Sequence, residues 1–546
     1  MLAGARVDRF TGRYDVAIDD RPTPGSDADE TAPWFEASIP ELEALMVSGG
    51  LSSVELTEAY LRRTERLDPL LHAVIETNPA ALDIAARRDA ERRAGRTRGP
   101  LHGVPVLLKD NVATNDAMQT TAGSLALVGS RVPRDATIVT RLRAAGAVVI
   151  GKANLSEWAN FRGLVPPPVA DAGLHLNGWS ARRGFTRNPY GLALDPCGSS
   201  SGSAVAPAAN LCTIAIGTET DGSIVCPAGS NAIVGLKPTV GLVAQAGIVP
   251  IAHSQDTAGP MVRTVTDAAI TLNALRSPFG SVGGRRLPRD YRAFLRRGAL
   301  RGARIAVDRR LFSGDDSADA GLNAVTERAL DMLRSLGATL VDPIEPPDTK
   351  SINEDELTVL FSEFKVDIEA YLADLRSTTV RTLSDLIAFN DEHCDDELRF
   401  FGQELFHVAD ATSGLDDPAY REARARCVEA TRANGIDRIL AADRLDAIVG
   451  PAYGDSTAPA VAGYPVISVP TGTTDDGRPG GVWLSAGFLA EPTLLGFAFD
   501  LENAVGGRPR PTFAGIGPDL PPDAGICAIP IESRVRTRRT DLPADV

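Results

Sequence analysis

The sequence predicts an α/β fold, and two features of the chain beyond Gly99 support this class. Short apolar runs such as "GVPVLLKD" and "AVVIGKAN" have the length and composition of buried strands. Between them, "TIVTRLRAAG" has apolar residues at helical spacing. Strands that alternate with helices along a chain build a sheet with helices packed against it.

The chain before this alternation is predicted to be irregular and then helical. Residues 1–32 are polar, with clustered Pro and Asp, and we expect an irregular N-terminal arm. "IPELEALMVSG" and "LSSVELTEAYLRRTERLD" have helical spacing, and Ser52 with Glu55 has the spacing of a capping box. Residues 79–94, rich in Arg and Ala, predict a further helix.

The rest of the chain continues the pattern with two interruptions. A Pro-rich loop is predicted at 163–178, and a helical excursion at about 318–440. Strands are predicted in "NLCTIAIG", "ARIAVD", "LDAIVGPAY", "YPVISVPTG" and "VWLSAGF", and helices in "TVTDAAITLNAL" and "EPTLLGFAFDLENAV". We expect residues 33–546 to form a single domain that ends in a C-terminal tail from about 514 to 546.

Composition excludes several classes of function. A net charge of −15 and a pI near 5.0 argue against a nucleic-acid partner, which requires a basic face. No apolar run reaches the ~18–20 residues of a membrane span. The six cysteines show no CxxC pair and are interpreted as reduced thiols of a cytoplasmic protein, with disulfide pairing left open. The histidines lack ligand spacing, so we expect no metal site.

Two serine-bearing stretches, "PCGSSSGSAVAPAA" and "GTETDGSIVCPA", flank a predicted strand that brings them close together. The apolar residues on both sides disfavour a flexible linker. The phosphate-binding patterns GxxxxGK[ST] and GxGxxG are absent from both stretches, and so is the nucleophile pattern GxSxG. The two stretches therefore predict a different serine chemistry, with a base elsewhere in the chain.

Lysine is scarce in this chain. Only five of the 56 basic residues are lysine. Where the chain needs only positive charge it uses arginine, so a lysine is a candidate for a role that arginine cannot perform. Lys109 ends the predicted strand in "GVPVLLKD" and is the first such candidate.

The chain resembles the amidase signature family of serine amide hydrolases from about residue 38 to 513. "LHGVPVLLKDN", the two serine stretches, "GLKPTVG", "SQDTAGPM" and "AGYPVISVP" occur in the family's order and at similar spacing. The resemblance implies the amidase signature fold, a large, central, mixed and twisted β-sheet covered by helices on both faces. "NLSEWANFRG" and "GWSARRGFTRNPY" are most similar to bacterial peptide amidases, which hydrolyse the C-terminal amide of peptides.

The resemblance implies a catalytic triad of Lys109, Ser199 and Ser223. Ser223 is the nucleophile, and Ser199, after a cis Gly198–Ser199 peptide bond, passes its proton to Lys109. Ser200 is expected to orient this relay. A lysine accepts a proton only when neutral, which burial favours by lowering its pKa, whereas arginine stays charged.

The turn before Ser223 is implied to form the oxyanion hole through the backbone N–H groups of Thr220, Asp221, Gly222 and Ser223. Three residues depart from the family pattern because glycine is common at each position. They are Cys197, Ser201 and Asp221. We expect the Asp221 carboxylate to point away from the oxyanion and to order the loop.

Other residues have weaker predictions. Trp158, Phe161 and Trp179 are candidates for the substrate pocket, with core packing an equal alternative. His102, Lys152 and Lys237 are expected to be structural, and Gln255 and Asp256 to tie a loop near the site. The chemistry requires no metal and no organic cofactor.

Three functions follow from the resemblance. The first is hydrolysis of a carboxamide C–N bond in a peptide or small-molecule amide by a monomer or homodimer. The second is a glutaminase-like subunit of a tRNA-dependent amidotransferase, which the peptide-amidase-like motifs disfavour. The third is a non-catalytic amide-binding homologue, which the intact Lys109, Ser199 and Ser223 disfavour.

Overall fold

The computed structural model of the chain describes residues 28–164, 176–312, 320–344, 352–515, 523–534, 537–539 and 542. Within them, eleven strands form one sheet in the order β1-β3-β2-β6-β8-β7-β14-β15-β13-β11-β12. These strands are β1 Val74–Thr77, β2 Pro105–Lys109, β3 Val148–Ala153, β6 Ile214–Glu219, β7 Val234–Lys237, β8 Thr257–Val262, β11 Arg304–Val307, β12 Thr339–Val341, β13 Ala447–Pro451, β14 Val466–Thr473 and β15 Pro479–Ser485. Two short hairpins complete the set, with strands β4 Trp179–Ser180, β5 Gly184–Phe185, β9 Ser281–Val282 and β10 Arg285–Arg286.

The sheet is mixed, as predicted. β2 runs parallel to both β3 and β6, and β11 runs parallel to both β12 and β13. The other neighbouring pairs, including β7 with β14 at the centre, are antiparallel.

Helices surround this sheet. The described α-helices are Ile39–Ser48, Ser53–Leu71, Ala81–Arg93, Thr137–Ala144, Ser201–Ala208, Val225–Ser230, Val265–Leu275, Ala320–Ser335, Asn353–Asp374, Leu383–Glu392, Cys394–Glu397, Glu404–Asp410, Pro418–Thr431, Asp437–Ala442, Thr457–Ala462 and Glu491–Val505. The predicted capping box is confirmed, because Glu55 N donates to Ser52 Oγ over 3.1 Å and Ser52 N donates to Glu55 Oε2 over 2.7 Å.

Side chains alternate between two apolar cores on the two faces of the sheet. In β2, Val106 and Leu108 join one core, whereas Leu107 joins the other. Every residue of β2 is buried, including Lys109 at its end. A strand buried on both faces has a continuous apolar sequence, and for this reason the sequence could locate it.

Several predictions concern segments at the limits of the described residues. Of the predicted N-terminal arm, residues 1–27 lie outside the described part, and Ala28–Thr31 forms a 3₁₀ turn whose Asp29 pairs with Arg63. The Pro-rich loop lies outside it at 165–175. The excursion at 318–440 is helical where described, apart from the edge strand β12. The single-domain boundaries stay a prediction.

The interpretation of all six cysteines as reduced thiols is wrong for four of them. Cys197 pairs with Cys226, and Cys394 pairs with Cys527 in the C-terminal tail. Cys212 and Cys427 are free and buried. The partners are 29 and 133 residues apart, so only the folded topology could show which side chains meet.

No helix in the described residues is long and apolar enough to cross a membrane.

Candidate active site

The candidate site lies where the carboxyl ends of β2 and β6 meet. These two strands are parallel and adjacent, with Leu108 paired to Ile216, so their C-terminal residues emerge at the same edge of the sheet. β2 ends in Lys109, and β6 continues into the turn that holds Ser223. Ser199 lies just before the buried helix Ser201–Ala208, which excludes a flexible linker.

Lys109 is fully buried, and its ammonium group is held by the cis-serine loop and by β6. Nζ donates to Ser199 Oγ over 2.8 Å, to Thr218 Oγ1 over 3.0 Å and to the Thr218 carbonyl over 3.3 Å. Burial lowers the pKa of Lys109 to about 7, against the opposing charges of Asp256 and Glu219. A large fraction of this amine is therefore neutral near pH 7.

The loop that carries Ser199 has an unusual backbone. The Gly198–Ser199 peptide bond is cis, which confirms the prediction. A Cβ atom at Gly198 would collide with Ser156 Oγ and Asn177 Oδ1, so only glycine fits there. The Ser199 carbonyl accepts a hydrogen bond from Ser156 N over 3.0 Å, which fixes the loop from its other side.

Ser200 joins the two serine loops through its backbone and side chain. Its N–H donates to the Ser223 carbonyl over 3.2 Å, and its Oγ donates to the Thr218 carbonyl over 3.0 Å. The Ser223 side chain is 7% exposed, and its hydroxyl makes no hydrogen bond within the described residues. The hydroxyl is thus available to a substrate, while its backbone is tied to the neighbour of Ser199.

The turn at 220–223 leaves backbone donors unused. Within the described part of the chain, the N–H groups of Thr220, Asp221 and Ser223 donate to no acceptor. The Gly222 N–H instead lies close to the Glu219 carboxylate. Three free donors at one turn, beside a serine hydroxyl, suit the binding of a developing oxyanion.

The Asp221 carboxylate is bonded to helix Thr457–Ala462, as expected for a residue that orders the turn. Thr457 Oγ1 donates to its Oδ2 over 2.6 Å. Burial and the neighbouring carboxylates of Glu356 and Asp455 raise its pKa well above the usual range.

Glu219 supports the same turn from beneath, and the sequence interpretation missed it. Its Oε2 accepts hydrogen bonds from Ile224 N over 2.7 Å and Val225 N over 3.0 Å, directly after Ser223. Burial raises the pKa of Glu219, and the charge of the buried Lys237 opposes this rise. Glu219 is the last residue of β6, a signal that could have placed it beside the turn.

Thr218 and Asn111 were also missed. Asn111 Nδ2 donates to Thr218 Oγ1 over 2.9 Å, and Thr218 in turn contacts Lys109. Asn111 follows Lys109 by two positions, which could have indicated a shared face. The contact of Thr218 depends on the register of β6 against β2, which no local pattern contains.

A cavity of about 300 Å³ adjoins Lys109 on the Thr218 side. Its polar lining comes from Asn111, Thr218, Thr220, His253, Asp256, Asp367 and Tyr371, and its apolar lining includes Ile248, Val249, Pro250 and Ile251. A pocket with an apolar wall and a few polar groups is the usual form of a small-molecule site.

The three aromatic pocket candidates lie in apolar clusters close to this cavity. Trp158 and Phe161 pack with Phe406 and Phe364, and Trp179 packs with Phe401. Each is 2–6% exposed, and the cavity wall at this point is formed by Ala159. Their role in substrate binding stays a prediction.

The residues predicted to be structural have structural contacts. His102 Nε2 is 2.9 Å from the Arg88 carbonyl, and Lys152 Nζ donates to the Val112 carbonyl over 2.7 Å. Asp256 ties its loop to the oxyanion turn, because Thr220 Oγ1 donates to its Oδ1 over 2.6 Å. Gln255 Nε2 donates to Glu356 Oε1 over 2.8 Å.

One group of described residues has the donor types of a metal site, namely His253, Glu363 and Asp367. Their donors already serve one another, with His253 Nδ1 2.8 Å from Asp367 Oδ2 and Tyr420 Oη donating to Glu363 Oε1 over 2.9 Å. The hydrogen bond to Asp367 raises the His253 pKa, so an ion pair explains the group.

Comparison with known proteins decides the family. A family model described as Amidase matches residues 55–460. The chain belongs to the amidase family. This amidase is 48% identical to the peptide amidase of Stenotrophomonas maltophilia, with a TM-score of 0.81 over 88% of this chain and 100% of that one. It is 41% identical over 497 residues to a probable amidase of Arabidopsis thaliana, covering 88% of this chain and 92% of the relative.

A more distant relative shares only part of the amidase. A glutamyl-tRNA(Gln) amidotransferase subunit from Symbiobacterium thermophilum is 40% identical over 317 residues, which are 57% of this chain and 61% of the relative. The family and the solved structures establish the amidase signature fold and the hydrolysis of amide C–N bonds.

Proposed function

We propose that this amidase hydrolyses the C-terminal amide of peptides, or related small carboxamides, through an acyl-enzyme on Ser223. Lys109 acts as the base and Ser199 as the relay between them. The products are a carboxylate and ammonia or an amine. The observation that carries the proposal is the 2.8 Å contact between Lys109 Nζ and Ser199 Oγ, beside the Ser223 turn and buried from water.

The reaction follows from these positions. Ser223 Oγ attacks the amide carbonyl carbon while its proton passes to Ser199 Oγ, and the Ser199 proton passes to the neutral Lys109 amine. The carbonyl oxygen becomes an oxyanion that the free N–H groups of Thr220, Asp221 and Ser223 stabilise. The relay returns the proton to the leaving nitrogen as the C–N bond breaks. Water, activated by the same base, then hydrolyses the ester.

The link from Ser223 to Ser199 is the step that substrate must complete. Ser223 Oγ makes no hydrogen bond within the described residues, whereas the link from Ser199 to Lys109 is already formed. Catalytic hydrogen bonds often tighten only in the substrate complex. A substrate that displaces water from the turn would favour the shorter contact.

The substrate class rests on relatives and on the cavity. The solved peptide amidase is 48% identical to this chain over its whole length, and the wall formed by Ile248 to Ile251 suits an apolar acyl group. A mass-spectrometric screen of peptide amides, primary carboxamides and aryl amides tests this class. Turnover of aryl amides with no turnover of any peptide amide would contradict the peptide specificity and leave the triad standing.

The amidotransferase role is the second candidate. Its relative from Symbiobacterium thermophilum matches only 57% of this chain, so the shared region is compatible with a common fold and a different assembly. Copurification of partner subunits together with glutaminase activity would favour this role. A lone chain that hydrolyses peptide amides would exclude it.

The predicted cytoplasmic location and the monomeric or dimeric state stay predictions. The two disulfides weigh against a reducing compartment, since disulfides persist mainly in oxidising ones.

A further inference from the structure

We propose that the Cys197–Cys226 disulfide is a positioning clamp that holds the relay serine loop against the nucleophile turn. The proposal rests on the proposed roles of Ser199 and Ser223. Cys197 lies two residues before Ser199, and Cys226 lies three residues after Ser223, so the bond closes a bracket around both serines. It joins the ends of two segments whose separation must stay constant for proton transfer.

The hydrogen bonds across this junction are few. Ser200 N donates to the Ser223 carbonyl over 3.2 Å, and Asn231 Nδ2 donates to the carbonyls of Pro196 and Pro227 over 2.9 and 2.8 Å. These three contacts are all neutral hydrogen bonds. A covalent bond between the same two segments restricts their relative motion more tightly than such contacts do.

The backbone of Cys197 gives an independent reason to assign the bond a role. Its φ angle is +53°, a left-handed conformation that residues with a Cβ seldom adopt. Glycine, which is common at this position in the family, adopts it without cost. This chain therefore places an unfavourable residue type beside the relay serine, and the bond to Cys226 is what that residue type contributes.

The second disulfide is a matched control because it lies away from the triad. Cys394–Cys527 ties the C-terminal tail to helix Cys394–Glu397. Removing it by C394S/C527S leaves one disulfide and two buried free thiols, Cys212 and Cys427. In this background, the effect of a reductant reports on the clamp alone.

The first test compares kcat and KM on a peptide amide in four proteins: wild type, C394S/C527S, C197S/C226A and C197G/C226A. We expect C394S/C527S to keep the wild-type kcat, and C197S/C226A to lose about tenfold or more in kcat with little change in KM. C197G/C226A should recover part of that loss, because glycine restores the left-handed turn. A wild-type kcat in C197S/C226A would overturn the proposal.

A second measurement avoids variants that fail to fold. Dithiothreitol converts the clamp of folded C394S/C527S to two thiols and becomes a cyclic disulfide itself, and alkylation with mass spectrometry confirms the change at Cys197 and Cys226. We expect kcat to fall and reoxidation to restore it. Unchanged kcat in fully alkylated protein would overturn the proposal.

Hydrogen exchange separates this proposal from the proposed function. Reduction should accelerate exchange at the N–H groups of residues 199–204 even if no amide is turned over. Unchanged exchange there would overturn the clamp. Inactivity of the untreated wild type on every amide would instead contradict the proposed function.

Discussion

Lys109 Nζ lies 2.8 Å from Ser199 Oγ, and neither side chain is exposed to solvent. This pair explains why a lysine occurs at the end of a buried strand in a chain that otherwise uses arginine. Ser199 has no other side-chain hydrogen-bond partner within the described residues, so the amine controls its hydroxyl.

Replacing Lys109 with Met should abolish turnover while the fold remains. Methionine fills a similar volume without a charge, and the base is lost, so we expect kcat/KM to fall by about 10²–10⁴-fold. Steady-state kinetics measure the loss, and circular dichroism checks the fold. The control is Lys365→Met on the helix Asn353–Asp374, which should keep near-normal activity. Activity in Lys109→Met within a few-fold of wild type would rule out this base.

The pH dependence should show Lys109 as a base. A lysine is neutral above its pKa, which burial lowers to about 7, so kcat/KM should rise about tenfold per pH unit below 7 and level off above it. The Asp256 carboxylate raises this pKa, so Asp256→Asn should move the rising limb to lower pH. Glu219, which acts in the same direction, is unchanged in that variant. A limb that moves to higher pH would contradict the assignment.

The two serines should differ in their reaction with a fluorophosphonate probe. Ser223→Ala removes the nucleophile and should abolish labelling, whereas Ser199→Ala removes only the relay and should slow it. Intact-protein mass spectrometry measures the rate of the adduct. Ser203→Ala is the control, because Ser203 is a neighbouring buried serine that donates to the Ile216 carbonyl and has no proposed catalytic role. Full-rate labelling of Ser223→Ala would place the nucleophile elsewhere.

A buried ion group near the site should contribute strongly to stability. Arg162 pairs with Glu157 and with Glu397, and all three side chains are fully buried. Arg162→Met leaves both carboxylates without their cation and should lower the free energy of unfolding by about 3–5 kcal/mol. Urea denaturation measures this loss.

The matched control for Arg162 is the exposed pair Arg334–Asp331, whose side chains are 44% and 76% exposed. Arg334→Met should change the free energy of unfolding by less than about 1 kcal/mol. Equal losses in both variants would show that burial of the ion group has no special effect.

The sequence predicted the parts of the site that depend on local pattern. β2 and β6 are buried strands with continuous apolar runs, and the motifs around Lys109, Ser199 and Ser223 identified the family. Thr218 could not be predicted, because its contact with Lys109 is set by the register between two strands over a hundred residues apart.

The cysteine pairs could not be predicted for a related reason. Six cysteines allow many pairings, and spacing alone does not choose between them. Only the approach of the two serine loops places Cys197 and Cys226 at a Cα separation of 5.9 Å. Glu219 was missed because a carboxylate at a strand end has no distinctive pattern until its hydrogen-bond donors are known.

The cavity beside Lys109 draws its walls from two distant parts of the chain. Thr218 and Thr220 belong to the stretch that supplies the triad, whereas Asp367, Ala370 and Tyr371 belong to helix Asn353–Asp374. A randomised library confined to this helix could therefore be screened for new amide preferences with the bond-breaking apparatus left intact. The same separation gives natural variation a route to new substrates that does not pass through inactive enzymes.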